Sequence, residues 1–254
     1  MVGGLYALIA VGYTMVYGIL RLINFAFGDV MVMGIYFAFY GATLIRFSFP
    51  LAVAFSLLVT AILGVLIDRL AYKPLRNAPR ISALITAIGV SFFIESFAVV
   101  FFGPNYKAFL EALKNKTIAF ESFIIGGVYL PKIIFIILGI TAVALVALFL
   151  IVYKTKMGMA MRAISADIPT TSLMGINVDN VIGFTFAISS ALAALAGVMW
   201  ALRYPSFYPY TGFVPGLKAF IAAVLGGIGS IGGAVLGGIL LGILEMMIIT
   251  FFPT

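Results

Sequence analysis

Of the 254 residues, 64% are hydrophobic and 9% charged, against about 45–50% and about 25% in a soluble domain, which leaves too few charges to build a water-facing surface. Cysteine and histidine are both absent, which excludes thiol chemistry, disulfides, imidazole metal ligands and a histidine general base. The net charge of +7 is spread as single Lys and Arg residues between apolar stretches, a distribution suited to anionic lipid headgroups rather than to nucleic acid.

A run of about 20 apolar residues crosses a hydrocarbon core of about 30 Å, and such runs recur at 3–21, 30–46, 50–67, 81–102, 133–153, 181–202 and 231–250. They are apolar on every face, so the alternation of a transmembrane barrel is missing. The expected fold is all-α, a polytopic bundle of about seven spans in one domain over 1–254, with helices satisfying their own backbone groups in lipid. Residues 1–20 lack a basic leader and read as a span rather than as a cleaved signal peptide. The apolar piece 213–225 is too short to cross alone and has the length of a re-entrant half-helix.

Between the first two spans lies Arg21-Leu-Ile-Asn24-Phe-Ala-Phe-Gly28-Asp29. It is expected to hold a helix break, with Asn24 supplying an amide and Gly28 a permissive backbone. Asp29 is read either as a pathway or gating carboxylate or as a helix cap, because an ionisable group inside a membrane is costly unless it is paired or wetted. In span 81–102, Glu95 follows Ser91 by four residues and shares its helix face. It suits a buried interhelical hydrogen bond as well as a substrate contact. Glu245, near the end of the last span, suits snorkelling or an interface.

Polar loops fall at 68–80, 103–132 and 154–180. The first carries Arg69, Lys73, Arg76 and Arg80, and the third Lys154, Lys156 and Arg162. Two spans separate these loops, so they share a side, and the positive-inside rule leans towards the cytoplasm, with residue 1 outside. The opposite side takes Lys107, Lys114, Lys116 and Lys132, together with Arg46, Arg203 and Lys218. Within 118–130, two β-prone stretches flank Gly126-Gly127, which reads as a hairpin or as an irregular connector. In 154–180 a short helix is expected over 163–175, with Asp167 capping it, Pro169 in its first turn and Gly175 closing it; Asn177 or Asp179 then caps the next span. A capped helix between two spans serves as a docking element or as a connector. Along the last span, Gly229, Gly233 and Gly237 form one row and Ala234, Gly238 and Gly242 the next, spacing that lets helices pack closely or lines a turn.

No G-x-x-x-x-G-K-[ST], G-x-S-x-G or H-E-x-x-H occurs, and no carboxylate cluster has metal-site spacing, so no enzyme and no ATP site is expected in this chain.

Three stretches carry a resemblance: Gly4-Leu-Tyr-Ala-Leu-Ile-Ala through Tyr17-Gly-Ile-Leu-Arg-Leu-Ile-Asn24-Phe-Ala-Phe-Gly28-Asp29; Asp68-Arg-Leu-Ala-Tyr-Lys-Pro-Leu-Arg76 into Ile85-Thr86-Ala-Ile-Gly89-Val-Ser91; and Gly158-Met-Ala-Met-Arg162-Ala with Leu173-Met174-Gly175-Ile-Asn177-Val-Asp179, followed by Pro215-Gly-Leu-Lys218 and Leu225-Gly-Gly-Ile-Gly229-Ser-Ile-Gly-Gly233. As a set they resemble the permease subunits of ABC importers for branched-chain amino acids, of the LivH type. The resemblance implies a multi-pass protein of a prokaryotic inner membrane. It implies a pathway lined by Asn24, Gly28, Asp29, Thr86, Ser91 and Glu95, shared with a second, LivM-like permease subunit or a second copy. Two cytoplasmic ATPase subunits, which hold the ATP, would dock on Arg162, Asp167, Leu173, Met174 and Gly175, and an extracytoplasmic binding protein would deliver the amino acid. A permease for urea, short amides or sugars in the wider family, or an autonomous transporter or channel, stays as the alternative. The chain departs from the family pattern at Phe27, where members read histidine, and at Ile168-Pro-Thr-Thr171 after Asp167. It also begins inside what resembles the first span, and ends at Thr254 where members continue into one more.

Overall fold

The computed structural model describes residues 1–20, 24–76, 78–112, 122–125 and 128–251. The helices in chain order are α1 (Val2–Leu20), α2 (Phe27–Thr43), α3 (Phe49–Ile67), α4 (Arg80–Phe102), α5 (Phe109–Ala112), α6 (Lys132–Lys154), α7 (Lys156–Ala166), α8 (Ile168–Leu173), α9 (Val178–Arg203), α10 (Phe213–Leu225) and α11 (Ile231–Phe251). A π-helical turn, Asp68–Tyr72, and a 3-10 turn, Lys73–Leu75, prolong α3, and a second 3-10 turn, Pro209–Gly212, leads into α10.

Among the described residues, six helices are long and apolar enough to span a membrane: α1, α3 with its two turns, α4, α6, α9 and α11. They match six of the seven expected spans. The remaining stretch, 30–46, belongs to α2, which starts earlier and has 17 residues, a length of about 25 Å. The element at 213–225 is the 13-residue α10.

Local chemistry sets the ends. Pro50, Pro79 and Pro131 stand at the starts of α3, α4 and α6, where a missing N–H costs nothing. Gly103 stops α4. The Thr155 hydroxyl accepts from the Gly158 N–H to cap α7, and Asn177 accepts from the Asn180 N–H to cap α9.

Two helices make the centre. Of their apolar windows, 78% of α1 and 72% of α9 are buried, against 17–28% for the other four spanning helices. The inner face of α2 is also covered, by α3 and α9, and Gly34 lets it approach the Ala194 backbone closely. α4 and α6 lie at the periphery with apolar side chains outward, among them Phe92, Phe93, Phe97 and Phe101.

The two rows of small residues on α11 face different neighbours. A Cβ at Gly233 or Gly237 would strike the backbone of Gly226 or Ala222 at the end of α10. A Cβ at Gly238 or Gly242 would strike the backbone of Ala7 or Gly3 on α1. Gly229 departs from its expected row: it lies in the turn before α11 with φ +97°, and a Cβ there would meet open space.

Four short strands lie outside the helices among the described residues. β1 (Lys107–Ala108) pairs antiparallel with β4 (Ser206–Phe207), and β2 (Ser122–Ile125) with β3 (Val128–Pro131). The second pair has Ile125 opposite Val128, the register of a two-residue hairpin loop. The expected turn residues Gly126-Gly127, and 118–121, lie outside the described residues.

Candidate functional site

The chain breaks between α1 and α2 around Asn24, whose Oδ1 accepts from the Ala26 N–H at 3.2 Å and from the Tyr72 phenol at 2.8 Å. α2 then begins at Phe27, so Asp29 stands in its first turn instead of in the link, where the positive end of the helix dipole favours a carboxylate. Asp29 is not the N-cap residue, a position held by Ala26. Its carboxylate instead accepts a hydrogen bond of 2.5 Å from the Ser91 hydroxyl, across the seam to α4. Asp29 is 3% exposed and Glu95, one turn beyond Ser91, is 8% exposed, so α2 and α4 bring two carboxylates and a hydroxyl together at one place. Tyr13 of α1 also lies within electrostatic range of Asp29.

Gly28 has a different part from the permissive hinge expected of it. It is helical, and a Cβ there would run into the Gly212 carbonyl, with the Gly216 Cα 3.3 Å away. Small residues are required because the entrance to α10 lies directly on the first turn of α2. Phe27 packs its ring 4.8 Å from that of Tyr13. Thr86 stands apart from the carboxylates, its hydroxyl donating to the Ser82 carbonyl one turn back on α4.

The loop at 154–180 forms two helices instead of the single 163–175 helix expected. Asp167 adopts an extended conformation and separates α7 from α8, because its φ of −154° cannot continue a helix. It stands at the N-cap position of α8, but its carboxylate accepts from the Thr170 hydroxyl rather than from a backbone N–H. Gly175 closes the unit with φ +81°, its N–H donating to the Ser172 carbonyl. Leu173 and Met174 project from the tip, 89% and 79% exposed. Arg162 on α7 lies over the Tyr153 ring of α6 at 5.3 Å.

Two ionic groupings had no local signal in the sequence. Asp68, 1% exposed in the π turn, accepts twice from Arg76, at 2.8 and 2.9 Å. The other guanidinium nitrogen of Arg76 donates to Asp179 in the first turn of α9 at 2.5 Å, and Lys73 reaches the same carboxylate at 2.7 Å. An unpaired carboxylate as buried as Asp68 would cost about 3–5 kcal/mol, which makes Arg76 a requirement of the fold. Inside the bundle, Lys218 of α10 pairs with Glu245 of α11 at 2.6 Å and sits over the Tyr6 ring. Lys218 is thus a helix residue with an acidic partner, and of the two roles expected of Glu245 the structure shows the interface one, a tie between α11 and α10.

An open groove of about 620 Å³ between α1, α6 and α11 has no titratable side chain in its lining. It offers nothing to recognise a charged head, in contrast to the α2–α4 seam.

The family described as "Branched-chain amino acid transport system / permease component" matches residues 1–254. The chain is 44% identical over 254 residues to the high-affinity branched-chain amino acid transport system permease protein BraD of Pseudomonas aeruginosa, covering 96% of this chain and 82% of that one. It is 40% identical over 266 residues to the permease protein LivH of Escherichia coli, covering 99% and 84%. With a probable LivH of Methanocaldococcus jannaschii the identity is 30% over 249 residues, covering 96% and 77%. No solved structure matches the chain. A multi-pass helical bundle, matched throughout its length by a family of transport permeases and carrying no enzyme's motif, belongs to that family: the chain is a permease component of the branched-chain amino acid transport system type.

Proposed function

We propose that this permease moves leucine, isoleucine and valine across the inner membrane of a prokaryote, and that Asp29, Ser91 and Glu95 form the polar station on its pathway. The observation that carries this reading is the hydrogen bond between Asp29 and Ser91, which sets a buried carboxylate and a hydroxyl at a helix break. Branched-chain amino acids have a zwitterionic head and an apolar side chain. A carboxylate beside a hydroxyl receives the ammonium, while apolar helix faces tolerate the rest. Passage requires that such a site attract the head yet release it, so a few polar groups suit it better than a full cage. Asn24 and Gly28 hold the first turn of α2 in place, and Thr86 adds a hydroxyl to α4 nearer its start.

The relatives' names support the substrate. ATP would be bound by two cytoplasmic subunits seated on Leu173 and Met174, with Arg162, Asp167 and Gly175 shaping that tip. A second permease subunit, LivM-like or a second copy, would complete the pathway, and an extracytoplasmic binding protein would supply the amino acid.

The test is leucine uptake by the complete complex in vesicles. Asp29→Asn keeps the size of the side chain and removes its charge, so uptake should fall about tenfold or more while the complex still assembles. Ser91→Ala should have a smaller effect in the same direction. Wild-type uptake in both variants would leave Asp29 as a structural residue.

A further inference from the structure

We infer that Arg76 and Asp179 are positioning residues for transport, forming a clasp whose outer arm opens and closes as α9 moves. The inference rests on the reading of α8 as the ATPase docking tip.

The clasp has two unlike arms. The inner arm, Asp68 to Arg76, lies within one stretch of chain eight residues apart; it is doubly hydrogen-bonded, and its carboxylate is almost fully buried. The outer arm joins Arg76 and Lys73 to Asp179, 103 residues beyond Arg76, and the Asp179 side chain is 49% exposed. A half-exposed pair exchanges its partner for water at little cost, whereas a buried one does not. Motion between the α3 end and the α9 start is therefore accommodated at Asp179, while Arg76 stays fixed to Asp68.

The position of each arm decides what that motion reaches. Asp179 lies in the first turn of α9, four residues after Gly175, so a displacement of the α8 tip arrives there directly. On the other side, Asp68 begins the π-helical turn and Tyr72 ends it; π turns interrupt the regular ladder and recur at functional positions. Tyr72, 1% exposed, donates to Asn24, which also holds the Ala26 N–H at the entrance to α2. Asp29 is three residues further on. Contact alone does not establish coupling between the ends of such a chain, so the experiment measures coupling itself.

Asp179→Ala removes the outer arm and leaves Asp68 paired and Asn177 capping α9. In the full complex in vesicles, the variant should bring down its ATPase subunits as wild type does and still hydrolyse ATP, while uptake per ATP falls about fivefold or more. Asp179→Lys, which sets two cations against a third, should be worse, and Lys73→Glu combined with Asp179→Lys should recover at least half of the ratio. A wild-type ratio of uptake to hydrolysis in both single variants would overturn the inference. Loss of assembled complex that the combined variant does not relieve would overturn it as well, by making the outer arm a structural tie. ATPase subunits that still associate after Leu173→Ser with Met174→Ser would sink the docking reading instead, and the ratio in Asp179→Ala would still decide the clasp.

Discussion

Leu173 and Met174 are the most exposed of the large apolar side chains among the described residues, and lipid does not account for them. The outward phenylalanines of α4 have a hydrocarbon neighbour; these two stand at the tip of a loop between α7 and α9. Covering a Leu or Met side chain contributes about 1.5–3 kcal/mol, so on the docking proposed above Leu173→Ser with Met174→Ser should weaken ATPase association at least tenfold, read by copurification at graded dilution. Gly175, at φ +81°, is a gentler case. Alanine there costs about 1–2 kcal/mol of backbone strain, enough to loosen the tip without removing its contact residues. Association of the ATPases with Gly175→Ala should therefore drop less than with the double serine variant. The glycine was readable from the sequence because a left-handed residue after a short helix has few alternatives. The start of α8 was readable too, from Asp167 at its N-cap position and Pro169 in its first turn; the separate helix α7 ahead of that break was not expected.

At the scale of elements, α11 is defined by what it lacks. One row of small residues is pressed on α10 and the next on α1, so bulk on either face has nowhere to go. Overpacking costs about 1–3 kcal/mol even in a core that can adjust, and here the obstacle at Gly238 is the backbone of Tyr6 and Ala7. Gly238→Leu and Gly233→Leu should each lower the thermal midpoint of the detergent-extracted protein by several degrees. Ile239→Leu, at a position whose side chain is 39% exposed, should leave it nearly unchanged. Equal midpoints in all three would mean that the rows are incidental. Spacing alone reveals such rows, since every fourth residue shares a face. The Lys218 to Glu245 pair on the same two helices is hidden, because 27 residues separate its members and no periodicity links them. The Asp68–Arg76–Asp179 clasp is hidden too, since Asp179 lies 103 residues beyond Arg76 and Asp68 and Asp179 stand in helical turns at the ends of α3 and α9 rather than in the loops expected there.

For the molecule as a whole, α1, α10 and α11 form a block tied by close backbone approach and an ion pair, α9 packs on α1, α2 and α3, and α4 is fastened lightly. Its covered face carries Ala83, Ala87 and Ala98 with the larger Ile94 and Glu95 among them, Phe102 at its end stacks on Tyr36 and Tyr40 of α2, and the Asp29 to Ser91 hydrogen bond is its polar tie across the seam. A helix held across such a seam by one polar bond has a discrete register at that bond, like a ratchet with a single tooth. Slipping by one turn, about 5.4 Å, brings Ala87 opposite Asp29 in one sense and Glu95 in the other. The first leaves the carboxylate free for an incoming ammonium, and the second sets two negative charges against each other. The register thus sorts two states by charge, and one direction of travel is cheap while the other is not. Because the chain contains no native thiol, a cysteine at Ala87, fully buried here, reports this register directly. It should react with a small thiol reagent in one nucleotide state of the complex and resist in the other; equal protection in both would make α4 a fixed wall, and the gate would then have to lie in the block.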